Sequence, residues 1–253
     1  MAPAMQIALS MASIGIALTV KGITGFGSGL LTVTLLTLIW GPRDAIAISA
    51  CTEIVACSIL VPQAWRAMDA KLLVALFLPM MLGLWIGTGL LAVITDAWLT
   101  VCVGGAVALS GMYLSARPVA GGRGELDGLP TQPAKVLAIG GLAGFLGGLL
   151  GGLTTASGPP VIIYGRYFFT DAFGRAQFIG LFFLSSATLL PMLIFRGVIQ
   201  ADGLWRLPFL IPPMFLGAAL GAWLSPNLSR EQFGRLVGFV LAGAGLALLK
   251  TSL

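Results

Sequence analysis

The chain contains no histidine. That absence excludes His-based metal sites, Ser–His catalysis and His proton relays together. Cysteine is sparse as well. Cys51, Cys57 and Cys102 all lie in apolar stretches, and no C-x-x-C is present. Such residues read as small buried side chains and not as a redox or zinc centre. Charge is the third shortage. Only 9% of the 253 residues are charged, against about a quarter in soluble domains. Walker and Rossmann fingerprints are missing, so transport or catalysis driven by a nucleotide on this chain is excluded. No cofactor and no metal is expected.

What fills the sequence is apolar, at 58% hydrophobic residues. Apolar segments run roughly over 5–20, 28–40, 44–63, 71–95, 97–114, 135–151, 158–169, 173–195, 204–224 and 232–250. Several reach or approach the roughly 20 residues that cross a bilayer. The expectation is an all-α polytopic membrane protein, a single transmembrane domain over 1–253 with about 7–10 membrane segments. Lipid is its surroundings, and a homodimer through apolar faces is a further expectation. The opening Met1-Ala2-Pro3-Ala4-Met5 has no basic region of signal-peptide type, so the first segment is expected to stay as a helix. Net charge is +5. The bases sit mostly at segment ends, where they set orientation, and no nucleic-acid partner is read from them.

The apolar pattern is broken twice. The first break reads Gly22-Ile23-Thr24-Gly25-Phe26-Gly27-Ser28-Gly29, the second Gly152-Leu153-Thr154-Thr155-Ala156-Ser157-Gly158-Pro159-Pro160. Helices seldom carry so many breakers unless an interruption is intended. The layout around each break matches: a long segment, the break, a short segment, then three more. Asp44-Ala45 and Asp171-Ala172 follow the short segments at similar places. This predicts a duplication, with repeat one at 5–114, a cytoplasmic loop at 115–134 and repeat two at 135–250. Each repeat holds a helix broken at mid-membrane, and its short second segment is either a half-helix or a re-entrant piece. If every segment crosses, each half has an odd number of spans and the halves are inverted. Arg66, Lys71, Arg117, Arg123 and Lys135 then share the cytoplasmic side, with Asp96 opposite. Trp40, Trp65, Trp98, Trp205 and Trp223 fall near segment ends as interfacial anchors, and Trp85, in mid-segment, is expected to pack.

A helix that starts in mid-membrane offers unpaired N–H groups and a positive end, which together suit an anion. Gly25, Gly27, Gly29 and Gly158 let backbone approach closely. Thr24, Ser28, Thr154, Thr155 and Ser157 add hydroxyls. Pro159 suits a first helical turn, where the missing N–H costs nothing. The competing reading of both breaks is close packing through small residues; their matched positions favour a site. Lys21 has two readings, a counter-charge for an anionic substrate, or a base that snorkels or pairs with Glu53. Glu53, central in its segment, reads as a proton carrier or an ion-pair partner. Gln177 and Arg175 are polar groups the second half can contribute, and Ser185-Ser186 is a weaker candidate that can bond back to its own helix.

The second break, continued through Val161-Ile162-Ile163-Tyr164, resembles the second-repeat signature of the TauE/SafE sulfite exporter family, and the first break resembles its first-repeat counterpart. Thr155 stands where many members carry Gly. The similarity covers nearly the whole chain. It implies a multi-pass protein of the bacterial inner membrane that exports small sulfur-containing anions such as sulfite, sulfoacetate or related organosulfonates.

Three functions compete at this point. A secondary carrier for such anions leads. An anion channel, or a carrier for another small anion, is the alternative. A membrane-embedded enzyme is disfavoured by the missing His and the lack of clustered carboxylates. Gly27-Ser28-Gly29 has part of an intramembrane serine-protease pattern, but Phe26 stands where that pattern needs Gly.

Overall fold

The computed structural model describes residues 3–24, 27–116, 133–169, 171–199, 207–224 and 230–252. The expectations for Gly25, Phe26 and the loop from 117 to 132 lie outside the described residues. Among the described residues every regular element is helical. In chain order these are α1 (Pro3–Thr24), α2 (Ser28–Trp40), α3 (Pro42–Ala64), α4 (Ala70–Val93), α5 (Asp96–Ala116), α6 (Pro133–Thr154), α7 (Gly158–Phe168), α8 (Asp171–Phe195), α9 (Leu207–Leu224) and α10 (Arg230–Ser252). A 3-10 turn, Trp65–Ala67, follows α3. Seven of the helices, α1, α3, α4, α5, α6, α8 and α9, are long and apolar enough to cross a membrane. The protein is a multi-pass helical membrane protein.

Both breaks are narrower than their motifs. Gly22, Ile23 and Thr24 still belong to α1, with α2 under way from Ser28, and Gly152, Leu153 and Thr154 still belong to α6, so that the second interruption is three residues, 155–157. The Gly-rich run keeps helical hydrogen bonds because packing on neighbours outweighs the modest propensity cost of Gly.

The short helices do not prolong the long ones. With 13 and 11 residues, α2 and α7 measure about 20 and 17 Å, too little for a core of about 30 Å. They fold back instead. Trp40 Nε1 at the end of α2 donates to Ser10 Oγ near the start of α1 at 2.8 Å, and Gln6 Nε2 donates to Ile39 O at 3.3 Å. Along α6, Gly151 faces Ser157, Gly147 faces Val161 and Gly140 faces Tyr164, which is an antiparallel register. Each half therefore opens with a helical hairpin whose tip is the break. At the first tip Gly27 takes φ +88°, a left-handed conformation that Gly adopts without a Cβ penalty. At the second, two prolines open α7.

The halves are laced together by exchange. Hairpin helix α1 runs parallel to α9, with Gly15 against Pro213 and Gly22 against Gly221. Hairpin helix α6 runs parallel to α4 in the same way, with Gly83 against Phe145 and Gly87 against Leu149. A Cβ on Gly148 would lie 2.0 Å from the Met80 carbonyl oxygen, so the backbones touch directly, as small residues allow in membranes. α5 and α10 pack antiparallel, Gly104 near Gly245 and Gly111 near Gly238, and α3 packs on α8. The first helix of each half thus pairs with the fourth of the other, third with third and fifth with fifth, which is a two-fold pattern. Trp85 departs from the expectation that it packs. It is half exposed, with the Arg196 guanidinium 4.8 Å from its ring centre, because α4 turns its glycine face inward to α6 and leaves Trp85 outside.

Candidate functional site

The two hairpin tips meet. A Cβ on Gly29 would come within 3.0 Å of the Thr155 carbonyl oxygen. Between and around them lies a small cavity lined by Gly27 and Gly29 from the first tip, Thr155, Ser157 and Gly158 from the second, and by side chains of α3 and α8. It is narrow, leaving about 30 Å³ for the centres of water-sized groups. The N-terminal ends of α2 and α7, at Ser28 and Gly158, both open onto this space. The first-turn N–H groups of α2 and the positive ends of both helices favour an anion here.

The α3 wall carries the charge. Glu53 lines the cavity with its side chain 14% exposed, and Lys21, fully buried, pairs with its Oε1. Ser28 Oγ donates to Glu53 Oε2 at 2.6 Å. Lys21 Nζ also donates to Cys57 Sγ at 3.0 Å, one turn beyond Glu53. Burying two such charges is costly unless each is paired and bonded, and here each is. Glu53 therefore stands between Lys21 and the cavity. Of the two readings of Lys21, the ion pair with Glu53 is the contact that forms, and Lys21 does not itself line the space.

The second tip is neutral. Thr155 sits at φ +60°, a left-handed conformation that costs a β-branched residue on the order of 1–2 kcal/mol. Its hydroxyl donates to the Thr154 carbonyl at 2.6 Å and lies 3.1 Å from Ser49 Oγ of α3, whose hydroxyl can donate to it. Ser157 Oγ lies 3.3 Å from Ser185 Oγ of α8, and Ser185 and Ser186 complete the wall with Phe182 and Leu189.

Several sequence candidates sit beside the cavity and not in it. Thr24 and Thr154 bond back to Val20 and Leu150 of their own helices at 2.8 Å each. Pro159 is in the first turn of α7, behind Gly158. Gln177 lies elsewhere. Its amide donates to Ala67 O at 3.0 Å and accepts from Asp69 N at 3.2 Å, which clamps the turn between α3 and α4. Arg175 reaches the first hairpin from below, with Nη2 donating to Gly22 O at 3.1 Å. Sequence reasoning missed Ser49, Ala50, Phe182 and Leu189. Only their spacing on α3 and α8 marks them: Ser49 is one turn before Glu53, and Phe182 and Leu189 flank Ser185-Ser186 at helical intervals.

Among the described residues no group of His, Cys, Asp and Glu has the arrangement of a metal site. A family model described as sulfite exporter TauE/SafE matches residues 10–248. No curated protein and no solved structure matches the chain.

Proposed function

Because the chain belongs to the TauE/SafE sulfite exporter family, we propose that it carries sulfite, or a related small sulfur anion such as sulfoacetate, out of the bacterial cytoplasm through the cavity between the hairpin tips. Membrane transport is the activity of that family, and the chain is a transporter and not an enzyme. The observation that carries the substrate reading is the convergence of two helix N-termini on one small space lined by Gly, Ser and Thr. Export is physically favourable, since moving one negative charge out of a negative interior gains about 2.3 kcal/mol per 100 mV.

The same reading assigns the topology. If each hairpin enters and leaves on one side, each half crosses three times, and the halves, 5–114 and 135–250, are inverted. The hairpins then enter from opposite faces, and the side with Arg66, Lys71 and Lys135 is cytoplasmic. The parallel pairs α1–α9 and α4–α6 and the antiparallel pair α5–α10 all fit this path. The bilayer that holds it is the bacterial inner membrane, and a homodimer through the exposed apolar faces belongs to this proposal.

Purified protein in liposomes loaded with unlabelled sulfite tests the function. Labelled sulfite outside should enter faster than into empty proteoliposomes, because a carrier is trans-stimulated and a channel is not. Flux no greater than in protein-free liposomes overturns the reading.

A further inference from the structure

We propose that Glu53 is a proton-coupling site: the cavity takes up one proton on Glu53 for each anion it binds, and releases both together. This rests on the reading that the cavity receives an anion.

Charge placement carries the proposal. Among the described lining residues Glu53 is the one ionisable group. The groups facing it are few. Lys21 comes from α1 and Cys57 from its own helix. α2 offers the Ser28 hydroxyl, the second tip Thr155 and Ser157, and α8 Ser185 and Ser186. The α9 segment has no ionisable residue. Arg175 of α8 bonds at Gly22, and Asp96 of α5 pairs with Arg43 at the far end of α3.

The Lys21–Glu53 pair is therefore neutral as a unit, and it presents its negative member to the cavity. An anion entering beside an ionised carboxylate is repelled, and in a low-dielectric site that repulsion is strong. Protonating Glu53 removes the negative charge and leaves Lys21 as a net positive charge directly behind the wall. No movement of Lys21 is needed. The proton is taken from water that enters with the anion, rests on a Glu53 carboxylate oxygen while the anion is bound, and leaves to water when the anion does. The ion pair then re-forms. Ser28 keeps a partner in both states, since its hydroxyl donates to the carboxylate and accepts from the carboxylic acid.

The coupling sets the charge that crosses. A dianion travelling with one proton still carries net negative charge outward, whereas a monoanion travels as a neutral pair and no longer feels the membrane potential.

Infrared difference spectroscopy on purified wild-type protein tests this, with sulfite as the probe and calorimetry on the same sample. On adding sulfite, a protonated-carboxyl C=O band should appear as carboxylate bands fall, and Glu53→Gln should lack the new band. Calorimetry in buffers of different ionisation enthalpy should give about one proton more per bound sulfite in wild type than in Glu53→Gln; taking the difference removes sulfite's own titration. Sulfite binding in wild type with Glu53 still ionised overturns the proposal and leaves the transport reading standing. No heat and no spectral change in wild type sinks the transport reading itself. Should Glu53→Gln fold poorly, the double change Lys21→Met with Glu53→Gln keeps the pair neutral and serves as the band-free reference.

Discussion

The two hairpin tips share a plan and differ in furnishing. The first turn of α2 begins Ser28-Gly29-Leu30, three residues that all have an N–H. The first turn of α7 begins Gly158-Pro159-Pro160, of which two have none. The first tip is tied to a buried ion pair through Ser28, the second to neutral hydroxyls on α3 and α8. In the proposed site the two arms therefore divide the work: one would supply charge and backbone donors, the other shape and hydroxyl groups. A symmetric pair of tips would put two like charges in one small cavity, which low dielectric penalises.

Removing the charge from the first tip should have the largest effect. Lys21→Met leaves Glu53 buried and unpaired, at a cost of about 3–5 kcal/mol, read as a large fall in Tm in detergent. Lys21→Met with Glu53→Gln should recover most of that stability yet bind sulfite one to two orders of magnitude more weakly, roughly 1.4–2.8 kcal/mol. Wild-type affinity in the folded double variant would show that the charged arm has no part in binding.

The next test closes the gap between the arms. Gly29→Ala places a methyl 3.0 Å from the Thr155 carbonyl and should force the tips apart, costing about 1–3 kcal/mol of stability with at least tenfold slower sulfite counterflow. Unchanged counterflow would mean that the tips need not touch.

A smaller effect is expected at the strained residue of the neutral arm. Thr155→Ala keeps the left-handed backbone and loses both hydroxyl contacts, whereas Thr155→Gly loses the contacts but relieves the strain. Thr155→Gly should therefore melt higher than Thr155→Ala by a margin of about 1 kcal/mol. The reverse order would remove strain from the account of this tip. The smallest effect on binding should come from Gln177→Leu, which lies outside the cavity. It should destabilise by about 1–3 kcal/mol through the unpaired Ala67 and Asp69 groups, with sulfite affinity within about twofold of wild type, a difference of roughly 0.4 kcal/mol.

The membrane class, the positions of the short helices and the placement of both breaks were legible in the sequence because each rests on local chemistry: apolar run length, Gly and Pro clusters, and the double proline that opens α7. The pairing of Lys21 with Glu53 was one of two readings of Lys21, since a buried base can serve an anion or a carboxylate equally well. The fold-back of α2 on α1 was only one of two readings, because nothing local distinguishes a kinked span from a hairpin; the contact of Trp40 with Ser10 decides it, and that contact is tertiary. Gln177 misled for a related reason. A buried amide announces that it has partners but not which, and here they are backbone groups of a turn more than a hundred residues earlier. Ser49 gave no signal because a single serine in a helix of Ala, Ile and Ser looks like filler until Thr155 arrives opposite it.

The exchange of partners between the halves has a consequence in time. The glycine seam of α1 at Gly15 and Gly22 closes only on Pro213 to Gly221 of α9, nearly two hundred residues later in the chain. At about 5–20 residues per second of synthesis, the first hairpin waits on the order of 10–40 seconds in the bilayer with its seam facing lipid or a chaperone. The second hairpin has no such delay, because α4 is already in place when α6 is made. Assembly should therefore begin at the second tip, and the charged arm should be the last to lock. A chain cut before α9 should keep the α4–α6 pair while its first hairpin becomes open to protease.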